Sequence, residues 1–317
     1  MMRRSHVFAI AGAALVAAPL GARGQGVTKI RIGASAIGDI IVALWGAQSG
    51  IFQKYGLDVE IERMNSSAAI TAAVVGGALE MGKASLFGLV LAYAKGLPVV
   101  LEAASALYSS ATPDAALLVA KDSPIQTARD LNGKIMASAS LGDLFTTMNA
   151  AWMDQNGGDS RTLKYVELPG TAAAAAIAAG RVDAGMIAYP SLSEALNSGK
   201  CRVLAYPENV LGKTSLATAY FCTVDYASKN GPSLARFRKA LDEAYVYVMA
   251  HQADMVAIQA KFSDLDPKMV TLPSIGHGND LIEPSLTQPT IDIMAKYKVI
   301  PKAFPVRELI DPNAFKK

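Results

Sequence analysis

The chain has 317 residues, 51% of them hydrophobic and 18% charged, with 30 Lys and Arg against 27 Asp and Glu. That is the composition of a globular protein, and two cysteines, Cys201 and Cys222, make no disulfide framework. The excess of cations is Arg3, Arg4 and Arg23, in a stretch without an acid, so the remainder is formally neutral and gives no ground for a nucleic-acid partner.

The first 24 residues carry a basic start (Arg3, Arg4), an apolar Ala-rich run over 7–20, and small residues at Ala22 and Gly24. This order predicts an export signal cleaved near Gly24, and the run is too short to span a bilayer. Arg3-Arg4 leaves the twin-arginine route open beside the general secretory one. No Cys follows the run, so no lipid anchor is expected.

Thereafter the pattern predicts a strand at 29–33, a helix at 39–53, a strand at 57–61, a helix at 67–75 and a strand at 80–85. Strands at 97–104 and 115–119 follow. The sequence then repeats itself. Gly77-Ala78-Leu79-Glu80-Met81-Gly82 resembles Gly180-Arg181-Val182-Asp183-Ala184-Gly185, and Ala34-Ser35-Ala36-Ile37-Gly38-Asp39 resembles Ser138-Ala139-Ser140-Leu141-Gly142-Asp143. The second copy predicts strand 134–137, helix 143–155, strand 163–168, helix 172–179 and strand 183–187. A strand at 220–224 leaves it, helices at 234–249 and 253–262 follow Gly231-Pro232, and a Pro-punctuated tail at 291–317 wraps an existing lobe. Two such units predict an α/β chain of two lobes, each a mostly parallel sheet flanked by helices. Lobe I takes 27–112 and 216–317, and lobe II takes 113–215.

Parallel sheets bind ligands beyond the carboxyl ends of their strands, where helix N-termini point. The repeat marks those places twice. In the first lobe they are Ser35, Ala36 and Ile37, then Ser66 and Ser67, then Ser85 and Leu86. In the second they are Ser140, Leu141 and Gly142, then Gly170 and Thr171, then Tyr189. Loops of this kind suit an anionic oxygen, with hydroxyls adding hydrogen bonds. Each Ser or Thr is equally at home as a helix cap. Tyr189 either walls the cleft or packs. Lys83, a charge inside a central strand, is either a counter-ion facing the cleft or a side chain reaching water. Asp39 and Asp143 fall in first helical turns and read as partners of the helix dipole. Cys201 and Cys222 either pair, which would stabilise by about 3 kcal/mol, or are buried thiols on separate strands. Beyond the leader only His251 and His277 remain, without metal-ligand spacing, and no nucleophile elbow, phosphate loop or dinucleotide fingerprint occurs. An enzyme and a cofactor are therefore not expected.

Ala47-Gln48-Ser49-Gly50-Ile51-Phe52-Gln53-Lys54-Tyr55-Gly56-Leu57-Asp58-Val59-Glu60 and Gly96-Leu97-Pro98-Val99 resemble the first lobe of sulfonate/taurine/nitrate-type substrate-binding proteins of ABC importers. Asp130-Leu131-Asn132-Gly133-Lys134 and Ala178-Ala179-Gly180-Arg181-Val182-Asp183-Ala184 resemble the second lobe. The resemblance implies a type II periplasmic-binding fold, two hinge crossings, a cleft between lobes, and C-terminal helices that return to the first lobe. It implies a monomer in the periplasm that takes a small, anionic solute and passes it to a membrane permease. The family often carries Glu-Pro where this chain has Tyr189-Pro190, and an acid or Asn near Lys83, so the ligands of relatives transfer poorly. Thiamine-pyrimidine synthases resemble the same fold family, but they carry a cysteine cluster and an active-site His absent from this sequence.

Overall fold

The computed structural model describes residues 27–36, 38–189, 191–270 and 282–314. The expected export signal, Ile37, Pro190 and His277 lie outside the described residues. Among these residues ten strands form two five-stranded sheets. In the first, the order is β2 (Leu57–Arg63), β1 (Thr28–Ala34), β3 (Met81–Ser85), β10 (Thr214–Thr223) and β4 (Val99–Ser109). In the second it is β7 (Lys164–Glu167), β6 (Ile135–Ser138), β8 (Ala184–Ala188), β5 (Ala115–Ala120) and β9 (Cys201–Ala205). Strand β1 runs parallel to β2 and β3, and β6 runs parallel to β7 and β8. One strand is reversed in each sheet, β10 in the first and β5 in the second. The two sheets therefore share one plan, as the internal repeat predicts.

Helices cover both faces of each sheet, which is why the strands read as apolar runs. On one face of the first sheet, α1 (Ile41–Gln48) and α8 (Val224–Ala250) enclose Ile30, Ile32, Leu57, Phe52 and Phe237. On the other face, α3 (Ser67–Val75), α4 (Leu86–Ala94) and α10 (Pro284–Lys296) enclose Ile70, Leu89, Phe221 and Ile291. Gly82 fits this close approach. A Cβ there would lie 2.5 Å from both Ile70 and Phe221. The second sheet packs α6 (Gly170–Ala178) and α7 (Ser191–Asn197) on one face and Met153 of α5 (Leu144–Gln155) on the other.

Several boundaries differ from the sequence reading. The helix expected over 39–53 is a 3-10 turn at Gly38–Ile40, then α1, then α2 (Ile51–Lys54). Gly50 breaks it with φ at 80°, a left-handed conformation that ends a helix. Strand β10 begins earlier than expected, and β9, for which the pattern gives no span, is the strand that the buried-thiol reading of Cys201 requires. Helix α8 starts directly after β10, capped by Thr223, instead of after Gly231-Pro232. The Gly-Pro signal is still visible as a kink, because Asn230 has non-helical angles and Pro232 restarts the helix. Helix α9 (Gln252–Ser263) follows as expected.

The C-terminal segment adds to the first sheet. Leu101 on β4 donates its N–H to Leu309 O (2.8 Å), and Asp311 donates back to Leu101 O (3.0 Å). Buried Arg238 locks the junction, donating to Glu102 Oε2 at 2.6 Å and to Asn313 O at 3.2 Å. Cys201 and Cys222 are both free and buried, one in each sheet.

Candidate functional site

The carboxyl ends of β1, β2 and β3 and of β6, β7 and β8 carry the loops that the repeat marks. In the first half, two helix N-termini converge. Ser66 caps α3 by accepting from Ala69 N (3.2 Å), and Ser85 caps α4 by accepting from Gly88 N (3.2 Å). Ser67 Oγ accepts from Ser85 N (3.3 Å) and so ties one helix start to the other. Gly88 permits the contact, since a Cβ there would lie 3.1 Å from Ser85 Oγ and 3.4 Å from Ser67 Cβ. The second half repeats this arrangement. Helix α6 starts at Gly170 behind Pro169, with no side-chain cap, and a Cβ on Gly170 would lie 3.4 Å from Ser191 Oγ at the start of α7. Thr171 is exposed in the first turn of α6. The first-turn N–H groups of such helices lack intrahelical partners and carry partial positive charge.

The remaining marked residues divide. Ser35 and Ala36 are half-buried after β1, and Ala36 O accepts from Ser263 Oγ (3.2 Å). The Leu86 side chain is buried in the core, so only its backbone N–H is at the helix start. Ser140, Leu141 and Gly142 form an exposed loop, but acids surround it. Leu141 N donates to Glu167 Oε1 (2.9 Å), and Asp143 caps α5 by accepting from Thr146 N (2.8 Å). Burial raises the Asp143 carboxyl pKa despite these bonds. This helix end is already answered by a carboxylate, unlike that of α6. Tyr189 is exposed at the end of β8, and its N–H donates to Asp114 O (3.0 Å).

Lys83 corrects both sequence readings. It is 1% exposed, so it neither reaches water nor stands free as a counter-ion. Its ammonium is ion-paired with Asp39, which is itself buried in the 3-10 turn after β1. Thr218 Oγ1 donates to the second Asp39 oxygen at 2.5 Å, and Ser105 Oγ donates to Asp39 O at 3.0 Å. Asp39 is thus the partner of a strand lysine and not a free dipole partner. A buried charge must be matched, and here each charge matches the other.

The sequence reading missed an acidic wall where the chain crosses between sheets. Asp114 stands on the connection from β4 to β5. Its pKa is raised, first by desolvation and also by the charge of Asp39. Glu208 lies in the 3-10 turn Pro207–Leu211 before β10, is 7% exposed, and is pushed up to about 8 by burial and by the charge of Asp114. Tyr108, at the end of β4, donates to Asn209 Oδ1 of the same turn (2.8 Å). Nothing in the local pattern separates these acids from ordinary turn residues, and long-range pairing alone assembles them.

A groove of about 550 Å³ lined by Lys121, Ser123, Gly180 and Lys200 lies at the amino ends of β8 and β9, away from the marked loops. Among the described residues no group of His, Cys, Asp and Glu is placed to hold a metal, and no helix is long and apolar enough to cross a membrane.

Comparisons accord with this geometry. The fold is that of the periplasmic aliphatic sulphonate binding protein SsuA from Escherichia coli, at TM-score 0.73 and 23% identity over 89% of this chain and 92% of that one. The periplasmic nitrate-binding protein NrtA from Synechocystis PCC 6803 matches at TM-score 0.67 and 13% identity, over 90% and 86%. A Candida albicans protein with the generic periplasmic binding protein fold matches at TM-score 0.66 and 11% identity, over 89% and 96%. No curated protein sequence matches this chain. The family described as NMT1/THI5 like matches residues 38–255, well over half of the sequence. With two sheets of one plan and the periplasmic binding protein fold, the chain belongs to the NMT1/THI5-like family.

Proposed function

We propose that this chain is the solute-binding component of an ABC importer, exported to the periplasm, which captures a small organic or inorganic anion between two lobes and presents it to a membrane permease. The lobes are those read from the sequence, with the crossings near residues 112 and 215. The observation that carries the reading is the convergence of helix starts in both halves: α3 with α4, and α6 with α7. Four sets of first-turn N–H groups, with Ser67, Ser85, Thr171 and Ser191 beside them, suit anionic oxygens. Because Lys83 is neutralised by Asp39, the anion is held by these partial charges and hydroxyls, without that ammonium.

The mechanism follows from the connections. Solute meets one half in the open form, the crossings bend, and the second set of helix starts closes on it and excludes water. Closure is favoured by as much as the solute prefers the closed arrangement. The protein acts as a monomer and performs no chemistry on what it binds. Calorimetric titration of the purified chain with sulfonates, carboxylates and nitrate tests the reading. Saturable one-to-one binding of at least one anion is expected, and turnover of a bound compound would overturn it.

A further inference from the structure

The C-terminal segment is held to the first sheet by a buried polar cluster that plays no part in the proposed solute binding. Strand β4 is the last of its sheet, and the segment lies along its free edge through the parallel bridge of Leu101 with Ile310. Both of these side chains join the core on the α3 and α4 side. Successive residues of a strand point to opposite faces, so Glu102 and Asp311 stand together on the α8 side, at 0% and 3% exposure. Arg238 of α8 bonds to both parts, donating to Glu102 Oε2 and to Asn313 O. Cys222 of β10 donates its thiol to Glu102 Oε1 at 3.3 Å, and Tyr226 of α8 feels the charge of the same carboxyl. Asp311 Oδ1 accepts from Asn313 N and Nδ2 at 3.1 and 3.2 Å, whereas its Oδ2 is buried without a donor.

Burial pushes the Cys222 thiol up and the Tyr226 hydroxyl up to about 12, so both stay neutral. One guanidinium therefore meets two carboxyls. Two such groups side by side do not both ionise out of water, and a proton on one turns it into a donor. We propose that Glu102 and Asp311 share a single proton that clamps the C-terminal strap, residues 309–314, to the edge of the first sheet, and that the strap loosens as this proton leaves. Bound, the proton gives Asp311 Oδ2 its missing donor and leaves one carboxylate to match Arg238. Lost, it leaves a second buried negative charge, which release of the strap returns to water. Burial first, and the Asp311 charge after it, push the Glu102 carboxyl up from 4.5 to about 7 against the pull of Arg238. The clamped form binds more protons than the released one between these values, so the strap weakens as pH rises from 4.5 to about 7 and stays weak above it.

Hydrogen exchange of the full chain, read amide by amide between about pH 5 and pH 8, tests the clamp. The amides of β1 serve as the internal reference for opening of the whole fold. Leu101 and Asp311 bond through their N–H groups across the strap. Their protection, corrected for the intrinsic rate at each pH, should fall by about tenfold or more over that range beyond any change in β1. Glu102→Gln puts a permanent donor beside Asp311, and Asp311→Asn leaves one carboxylate for Arg238, so either variant should keep both amides protected at the upper end of the range. Protection that follows β1 throughout in the wild type would overturn the proposal, and that comparison needs no variant. An undiminished loss of protection in both variants would overturn it as well. No solute is added, so the outcome does not depend on whether the cleft takes an anion.

Discussion

Replacing Lys83 by Met removes the ammonium from a buried pair while keeping an unbranched side chain of similar length. Asp39 would then hold a charge at 2% exposure with Thr218 as its remaining side-chain donor. Breaking a buried pair from one side costs about 3–5 kcal/mol, because the partner stays buried and unmatched. Against a total stability of roughly 5–15 kcal/mol this is a large fraction. It should lower the melting temperature by on the order of 10 °C. Urea denaturation of wild type, K83M, D39N and the double variant gives a cycle in which the double variant recovers a substantial part of the loss. If K83M stays within about 1 kcal/mol of wild type yet loses solute affinity, Lys83 serves the solute as a counter-ion and its pairing with Asp39 does not hold the fold.

Two further outcomes follow from the same geometry. Glu208 is held near 8 in the folded chain and titrates near its ordinary value when unfolded, so the folded state binds more protons between these values. Stability therefore falls as pH rises from about 4.5 to 8, by roughly 4–5 kcal/mol from this group, and Glu208→Gln should flatten that part of a stability-against-pH curve; an unchanged slope would contradict the assignment. Gly88→Ala sets two effects against each other. Ala gains about 1 kcal/mol of helix propensity over Gly, while its Cβ presses on the Ser85 cap and Ser67, a loss of similar size. Stability should change little, but displacing the paired helix starts should weaken anion affinity about tenfold, read by calorimetry.

The duplicated units were legible in the sequence because each is local. Helix α3 matches the expected span, and the strands around it differ by a few residues at most. Where chain return decides the structure, local pattern is silent. Strand β10 inserts between β3 and β4 after more than a hundred residues, and its placement brings Thr218 onto Asp39. The Lys83–Asp39 pair joins residues 44 apart; the local pattern puts Lys83 in its strand and Asp39 in the first turn of a helix, and neither gives a sign of the other. Asp114 and Glu208 occur in turn-like sequence, and only the two crossings bring them together. Among the marked site residues, the helix-start serines follow from capping chemistry, whereas the acids around Leu141 required the β6–β7 pairing to bring Glu167 beside the loop.

Capture of one small solute in a cleft requires the two halves to close on it. Small-angle X-ray scattering of the purified chain across a titration tests it most directly. The radius of gyration should shrink and saturate with the same stoichiometry as calorimetric binding. Tight binding with an unchanged radius of gyration would contradict it.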